Sequence, residues 1–264
     1  MTRIEKCFER LKAEKRQAFI PYVTAGDPTC ELTAELILRM EKAGADIIEL
    51  GVPFSDPIAD GPVIQRATER ALGQHVSLRK VLQMAKEIRR QSEIPLVLFS
   101  YYNPILRYGL EKLAHDAAGC GIDGVLATDL TVEESAEYCK AMAAANLNTI
   151  FLAAPTSSPE RLKKIAQASN GFLYAVSRTG VTGETQELSG ELRSFITKLR
   201  KFTDIPIAVG FGISQPEHVK AVWQVADAAV VGSALVREIE KNIGHVDLVE
   251  RIARFTKWLR GEAA

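Results

Sequence analysis

Glu49 is the acidic residue of this sequence best placed for acid/base chemistry. It lies in a short apolar run, residues 46–50, whose composition predicts a β-strand. Because strand side chains alternate between faces, Glu49 lies on the opposite face from Ile48 and Leu50. If those two pack outward, the Glu49 carboxyl points inward, where apolar walls would raise its pKa into the range of a general acid/base. The alternative is a carboxylate that caps loop amides.

The loop after Glu49, residues 51–65, carries two further acids, Asp56 and Asp60, together with three prolines. Proline restricts the backbone, so the loop is stiff enough to hold Asp60 close to Glu49. Aspartates beside Pro and Gly are also common turn-formers. We adopt that interpretation for Asp56, and for Asp60 it stays open.

Two glycine-rich segments late in the chain could hold an anion. Gly210 to Ser214 follows a predicted strand, and Gly232-Ser233-Ala234 follows the next strand and begins a helix. Glycine allows close backbone approach, and amides at a helix N-terminus attract phosphate. Either segment alone is explained by a tight turn, but the pair favours a phosphate site. A polar segment with glycines, residues 177–183, could close over a substrate, or it is an ordinary mobile surface loop.

These residues require a scaffold that brings strand ends together. Short apolar runs alternate with helical periods along the chain, and no linker interrupts them, which predicts one α/β domain over residues 1–264 folded as a (β/α)8 TIM barrel. An additional N-terminal helix, residues 4–15, is expected to cover the closed end. An open doubly wound sheet is the rival, but its GxGxxG signal after the first strand is missing. The eight predicted strands are residues 18–23, 46–50, 96–100, 124–127, 149–152, 172–176, 207–210 and 228–231.

Three predicted helices have apparent capping boxes at their first turns. The pairs have the spacing at which a hydroxyl and a carboxyl group satisfy the first helical amides: Thr131 with Glu134, Ser157 with Glu160, and Ser214 with Glu217. We therefore expect Thr131 and the two serines to be N-cap residues.

Composition restricts the class of function. Basic and acidic residues balance, 33 against 33 in 264 residues, so no positive field would attract nucleic acid. The four cysteines show no CxxC spacing and no cluster of metal-site type, so we expect free thiols and no metal. No apolar run approaches a membrane span of ~20 residues, and no secretory signal is visible. The expected protein is soluble and cytoplasmic.

A family resemblance adds to these inferences. Residues 49–65, Glu-Leu-Gly-Val-Pro-Phe-Ser-Asp-Pro-Ile-Ala-Asp-Gly-Pro-Val-Ile-Gln, closely resemble the signature of tryptophan synthase alpha chains. Residues 19–28, 177–183, 210–214 and 232–234 resemble further segments of that family. The family is a carbon–carbon lyase of the (β/α)8 fold that cleaves indole-3-glycerol phosphate into indole and glyceraldehyde 3-phosphate.

The resemblance implies a role for each matching residue. Glu49 would be the acid/base, and Asp60 would accept the indole N–H and stabilise positive charge on the ring. Tyr22 stands at an aromatic wall where the family more often has phenylalanine, and Thr182 matches a lid threonine that meets Asp60. The remaining matches are to substrate-binding positions: Tyr174, Gly183, Gly212, Gly232 and Ser233.

The resemblance also implies a partner. Alpha chains bind a pyridoxal-phosphate-dependent beta chain, usually as a two-plus-two complex, and pass indole to it. Residues 53–60 and the segment near Asn103-Pro104 would form part of the contact, and the alpha chain itself would need no cofactor. Two alternatives stay open: a subunit that only binds and activates the beta chain, and another phosphate-binding barrel such as a sugar-phosphate aldolase or isomerase.

Overall fold

A computed structural model describes residues 1–176, 185–210 and 212–262, with the backbone alone for 185–189. Nine parallel strands form one sheet in the order β5-β4-β3-β2-β1-β9-β8-β7-β6. The strands are β1 Ala18–Thr24, β2 Ile48–Gly51, β3 Leu96–Ser100, β4 Gly124–Ala127, β5 Asn148–Ile150, β6 Leu152–Ala153, β7 Leu173–Val176, β8 Ile207–Gly210 and β9 Ala228–Val231.

The sheet closes on itself as a barrel. The two strands at the ends of the sheet order, β5 and β6, are separated in sequence only by Phe151, so together they form one interrupted strand of the barrel. On one side Asn148 pairs with Gly124 of β4, and on the other Leu152 pairs with Tyr174 of β7. The barrel therefore closes with eight strand positions, and the predicted (β/α)8 barrel is confirmed. Nine strands are counted instead of eight because the predicted fifth strand is interrupted at Phe151 and forms both β5 and β6.

Helices cover the outside of the barrel. In the described residues they are α1 Arg3–Ala13, α2 Cys30–Lys42, α3 Pro62–Gly73, α4 Leu78–Arg89, α5 Tyr102–Tyr108, α6 Leu110–Gly119, α7 Ala136–Ala144, α8 Pro159–Ala168, α9 Thr185–Leu199, α10 Pro216–Trp223, α11 Ser233–Lys241 and α12 Leu248–Leu259, with a short 3-10 turn at Val132–Glu134. Within those residues no helix has the length and apolar character that crossing a membrane requires.

Helix α1 covers the N-terminal end of the barrel. Ile4, Phe8 and Leu11 recur at helical spacing and are buried with the residues of the barrel interior. The Phe8 ring lies 6.0 Å from that of Phe172, measured between centroids. The predicted N-terminal helix is confirmed, and it leaves the C-terminal ends of the strands as the open face, where barrels of this fold carry their sites.

None of the three predicted capping boxes forms, and Thr131 precedes the 3-10 turn Val132–Glu134 without a side-chain cap. Helix α8 has Ser158 as its N-cap, which accepts the Arg161 amide at 3.3 Å, and α10 follows Gln215 without a side-chain cap. The reason is that Pro159 and Pro216 occupy the first helical position, where proline is favoured. The N-cap is therefore the residue directly before each proline, one position later than the serines that we predicted.

A partly buried ion network joins three elements beneath the open face. Asp27 follows β1 and is 2% exposed, and it accepts two hydrogen bonds from Arg70 of α3, at 2.7 and 2.9 Å. Arg70 also donates to Glu240 of α11 at 2.7 Å, and Arg66 binds the same carboxylate with two contacts of 2.8 and 2.7 Å. The network holds α3 and α11 together.

Replacing Arg70 by Leu should destabilise the fold far more than replacing Arg66 by Leu. Arg70→Leu leaves the buried Asp27 carboxylate without its bidentate partner, a change that typically costs about 3 kcal/mol of unfolding free energy. Arg66 is 48% exposed and serves only Glu240, so its loss should cost about 1 kcal/mol or less. Urea unfolding of both variants measures the difference, and equal shifts in midpoint would show that the Asp27 pair adds little.

Candidate active site

Glu49 points into the barrel, as its strand position predicts. In β2 it pairs in register with Tyr22 of β1 and Val97 of β3. Its neighbours Ile48 and Leu50 pack in the outer layer between sheet and helices, whereas Glu49 is 1% exposed on the inner face. The inference that Glu49 faces away from the outer layer is confirmed.

The Glu49 carboxyl group lacks compensation for its burial. Its Oε1 atom is buried and has no hydrogen-bond partner within the described part of the chain. Burial disfavours the charged form and raises the pKa of Glu49 from 4.5 to about 8. Near pH 7 the group is therefore mainly a neutral acid that can give up a proton within the physiological range.

This raised pKa makes stability depend on pH in a defined direction. The folded state holds a proton on Glu49 that the unfolded state has already released between pH 4.5 and about 8, so stability falls as pH rises through that window. The slope is ~1.4 kcal/mol per pH unit, and the total is on the order of a few kcal/mol. We expect Glu49→Leu to remove this slope and to be the more stable protein at pH 8 to 9. Urea unfolding at pH 5, 7 and 9 tests this, and parallel profiles for the two proteins would contradict the assigned pKa.

Asp60 is held beside the barrel mouth by the loop that joins β2 to α3. The Ala59 amide donates to the Tyr101 hydroxyl at 2.9 Å, which ties the loop to the end of β3. The Asp60 amide donates to the Pro57 carbonyl at 3.1 Å, and the Gln65 side chain donates to the Asp60 carbonyl at 2.8 Å. Burial raises the pKa of Asp60, and the neighbouring Tyr101 hydroxyl opposes that rise.

A cavity of about 430 Å³ opens between Glu49 and Asp60 on the C-terminal face of the barrel. That volume lies within the range of ~300–1,000 Å³ typical of small-molecule sites. Thr182 and Gly183 lie outside the described residues. The other sequence-predicted residues all line the cavity: Tyr22, Glu49, Asp60, Tyr174, Gly212, Gly232 and Ser233.

The far side of the cavity is formed by backbone suited to an anion. Gly232 is the N-cap of α11, and no side chain of the described residues caps this helix, so its first amides suit an anionic ligand. Gly212 adopts a φ of +72°, a left-handed conformation that glycine allows. These features bring positive backbone dipoles to the end of the cavity at Ser233.

Aromatic and aliphatic side chains form the walls. The rings of Tyr22 and Phe99 meet edge to face with centroids 5.1 Å apart, and Ile64 of α3 completes that wall. A Cβ at Gly51 would lie 2.2 Å from the Tyr22 hydroxyl, so only glycine leaves room for this tyrosine. The cavity therefore combines the two acids with aromatic and aliphatic walls.

Phe99, Ile64 and Arg237 line the cavity but were not predicted from the sequence. Phe99 could have been found, because it follows the inward-facing Val97 at a spacing of two. Ile64 and Arg237 lie on helices, and no strand pattern indicates them. In the part of the chain that the structure describes, no cluster of His, Cys, Asp or Glu side chains could hold a metal ion.

Comparison with known proteins places this geometry in a family. Residues 8–260 match the sequence profile of the tryptophan synthase alpha chain family. The chain is 54% identical over 260 residues to the tryptophan synthase alpha chain of Solibacter usitatus, with 98% of this chain and 97% of the relative covered. It belongs to the tryptophan synthase alpha chain family.

Solved structures agree with this assignment over nearly the full chain. The tryptophan synthase alpha subunit of Legionella pneumophila is 38% identical, with a TM-score of 0.92 over 99% of this chain and 98% of its own. A chain from the tryptophan synthase a2b2 complex of Pyrococcus furiosus is 39% identical, with a TM-score of 0.86 over 92% of this chain and 98% of that chain. Membership in the tryptophan synthase alpha chain family implies a lyase that acts in tryptophan biosynthesis.

Proposed function

We propose that this chain cleaves indole-3-glycerol phosphate into indole and glyceraldehyde 3-phosphate. The observation that carries the proposal is the buried Glu49 carboxyl group, whose Oε1 has no hydrogen-bond partner among the described residues, in a cavity that also contains Asp60 and the N-terminus of α11. Such a cavity suits a substrate with an aromatic ring at one end and an anion at the other. Family membership supplies the reaction class.

In this proposal Glu49 moves two protons. As a neutral acid it donates a proton to the indole carbon that carries the glycerol phosphate, which leaves the ring positively charged at nitrogen. The resulting carboxylate then accepts the proton of the hydroxyl group on the neighbouring carbon. The O–H electron pair forms the aldehyde C=O, and the pair of the breaking carbon–carbon bond restores the aromatic indole. Glu49 ends as it began, protonated, and a pKa of about 8 suits both steps.

Asp60 would act on the other side of the ring. Its carboxylate accepts the indole N–H hydrogen bond and stabilises the charge that develops on the protonated ring. Tyr101 helps to keep Asp60 ionised, since its hydroxyl opposes the rise in the pKa of Asp60. Two carboxyl groups in different environments thus take different roles.

The phosphate would bind at the opposite end of the cavity. Gly212, Gly232 and Ser233 provide backbone amides there, and the Ser233 hydroxyl adds a donor. Tyr22 and Tyr174 would pack against the indole. Burial and, next, the charge of the Glu49 carboxylate raise the pKa of Tyr174. By resemblance we propose that Gly183 also contacts the phosphate and that Thr182 closes over Asp60.

We further propose that the chain assembles with a tryptophan synthase beta chain. The related chain from Pyrococcus furiosus is part of a tryptophan synthase a2b2 complex. In this chain Pro53 and Phe54 share one surface depression with Asn103 and Pro104, the two segments expected at such a contact. Ile58, in the same loop as Asp60, is 86% exposed, as suits a residue that a partner covers. Pyridoxal phosphate would belong to the beta chain, and the proposed cleavage uses only carboxyl groups and amides of this chain.

An assay of indole release tests the proposal. The purified chain is given indole-3-glycerol phosphate, with and without a tryptophan synthase beta chain, and both indole and glyceraldehyde 3-phosphate are measured. The proposal predicts equal amounts of the two products in either condition, with a higher rate when the partner is present. Failure to form indole in both conditions would favour the binding-subunit hypothesis, unless the chain turned over a sugar phosphate, which would favour the aldolase or isomerase alternative.

A further inference from the structure

A basic side chain would add to the attraction that the helix amides of the cavity exert on a phosphate group. Of the residues that line the cavity in the described part of the chain, two are acids, Glu49 and Asp60, and one is basic, Arg237. A phosphate monoester carries close to two negative charges at neutral pH, so an ionised Asp60 repels it. Helix amides supply only a partial positive charge.

Arg237 lies where its side chain can reach the phosphate end. It is four residues after Ser233 on α11, one helical turn further along the same face. Long side chains on a helix lean towards its N-terminus, so the guanidinium group extends back towards the free amides of Gly232 and Ser233. Its presence in the cavity lining agrees with that direction.

The acidic groups of α11 are engaged elsewhere. Glu240 pairs with Arg66 and Arg70, and Glu238 accepts a hydrogen bond from Asn242 at 3.1 Å. Among the described side chains, those of residues 1–176, 190–210 and 212–262, no acid forms a salt bridge with Arg237. Arg237 is exposed and lines the cavity.

We propose that Arg237 binds the phosphate group of the substrate and determines specificity for a phosphorylated over an unphosphorylated indole glycerol. The proposal rests on the proposed function for the substrate's indole end. Beyond that function, we propose a direct contact between the Arg237 guanidinium group and a phosphate monoester dianion. Arginine suits this role because its planar donors match two phosphate oxygens at once.

Steady-state kinetics of Arg237→Ala and Arg237→Lys test the proposal. For indole-3-glycerol phosphate we expect Arg237→Ala to raise KM by roughly tenfold with kcat within about twofold, because a charged hydrogen bond to the bound ligand is lost. Arg237→Lys should restore part of the loss. With indole-3-glycerol, which lacks the phosphate, Arg237→Ala should match the wild-type chain. Lys241→Ala is the control, since it removes the same charge from the same helix outside the cavity lining.

Two results would overturn the role of Arg237. One is an unchanged KM for the phosphorylated substrate, and the other is an equal loss on both substrates, which would indicate a structural effect. Calorimetric binding of indole-3-propanol phosphate, which cannot be cleaved, separates this test from the test of the proposed function. Weaker binding of this compound by Arg237→Ala than by the wild-type chain supports Arg237 even if the wild-type chain releases no indole, and equal binding refutes it.

Discussion

Glu49→Gln is expected to lower the turnover of indole-3-glycerol phosphate by roughly 10³-fold or more while the protein stays folded, because the proposed mechanism routes both proton transfers through this carboxyl group. Glutamine has nearly the same shape, so the cavity and its capacity to bind substrate should survive. KM should therefore change little while kcat collapses. The measurement is indole release at saturating substrate, with circular dichroism as the check on folding.

The outcome distinguishes a catalytic from a structural Glu49. Burial of an unpartnered carboxyl group does not help the fold, since its ionisation is opposed and Oε1 lacks a partner in the described part of the chain. A purely structural role would instead lower the stability of Glu49→Gln and leave the turnover of the folded protein close to that of the wild-type chain. Turnover of Glu49→Gln within tenfold of the wild-type value would contradict the assigned role.

Asp60→Asn should lower kcat by roughly 10²-fold, which is typical for loss of one electrostatic stabiliser of the transition state. The asparagine carbonyl can still accept the indole N–H, but it provides no negative charge for the protonated ring. The effect should therefore be smaller than that of Glu49→Gln and should appear in kcat more than in KM.

Asp56→Asn is a matched control for Asp60→Asn. Asp56 belongs to the same loop and is exposed, and it does not line the cavity. In assays of the isolated chain its replacement should leave kcat unchanged. If the two variants lost activity equally, the cause would be a disturbed loop rather than a missing charge opposite the indole nitrogen.

Local sequence patterns predicted most strands and helices of the barrel and the inward direction of the Glu49 side chain. The alternation of β2 placed Glu49 on the inner face, and that follows from the two-residue period of a strand. The interruption of the fifth predicted strand at Phe151 could not be predicted, because it depends on how neighbouring strands curve as the barrel closes. The helix starts at Pro159 and Pro216 were misjudged by one residue, although the preference of proline for the first helical position would have located them.

Whether a site residue could be predicted from the sequence depends on whether it lies at a strand end or on a helix. Residues at strand ends, such as Glu49 and Gly232, are predictable because parallel strands end on the same face. Ile64 and Arg237 reach the cavity only through the packing of α3 against α11, which involves the Asp27 and Glu240 ion network and has no local sequence signal. The raised pKa of Glu49 likewise depends on the burial of its carboxyl group, which only the assembled barrel reveals.

The most direct test of the central claim is a crystal structure of the chain with indole-3-propanol phosphate. This compound keeps the indole and the phosphate but has no hydroxyl proton to lose. We expect the indole ring between Glu49 and Asp60, with its N–H directed at Asp60, and the phosphate ~3 Å from the amide nitrogens of Gly212 and Ser233. A phosphate bound away from those glycines, or an indole with its nitrogen turned from Asp60, would contradict the central claim.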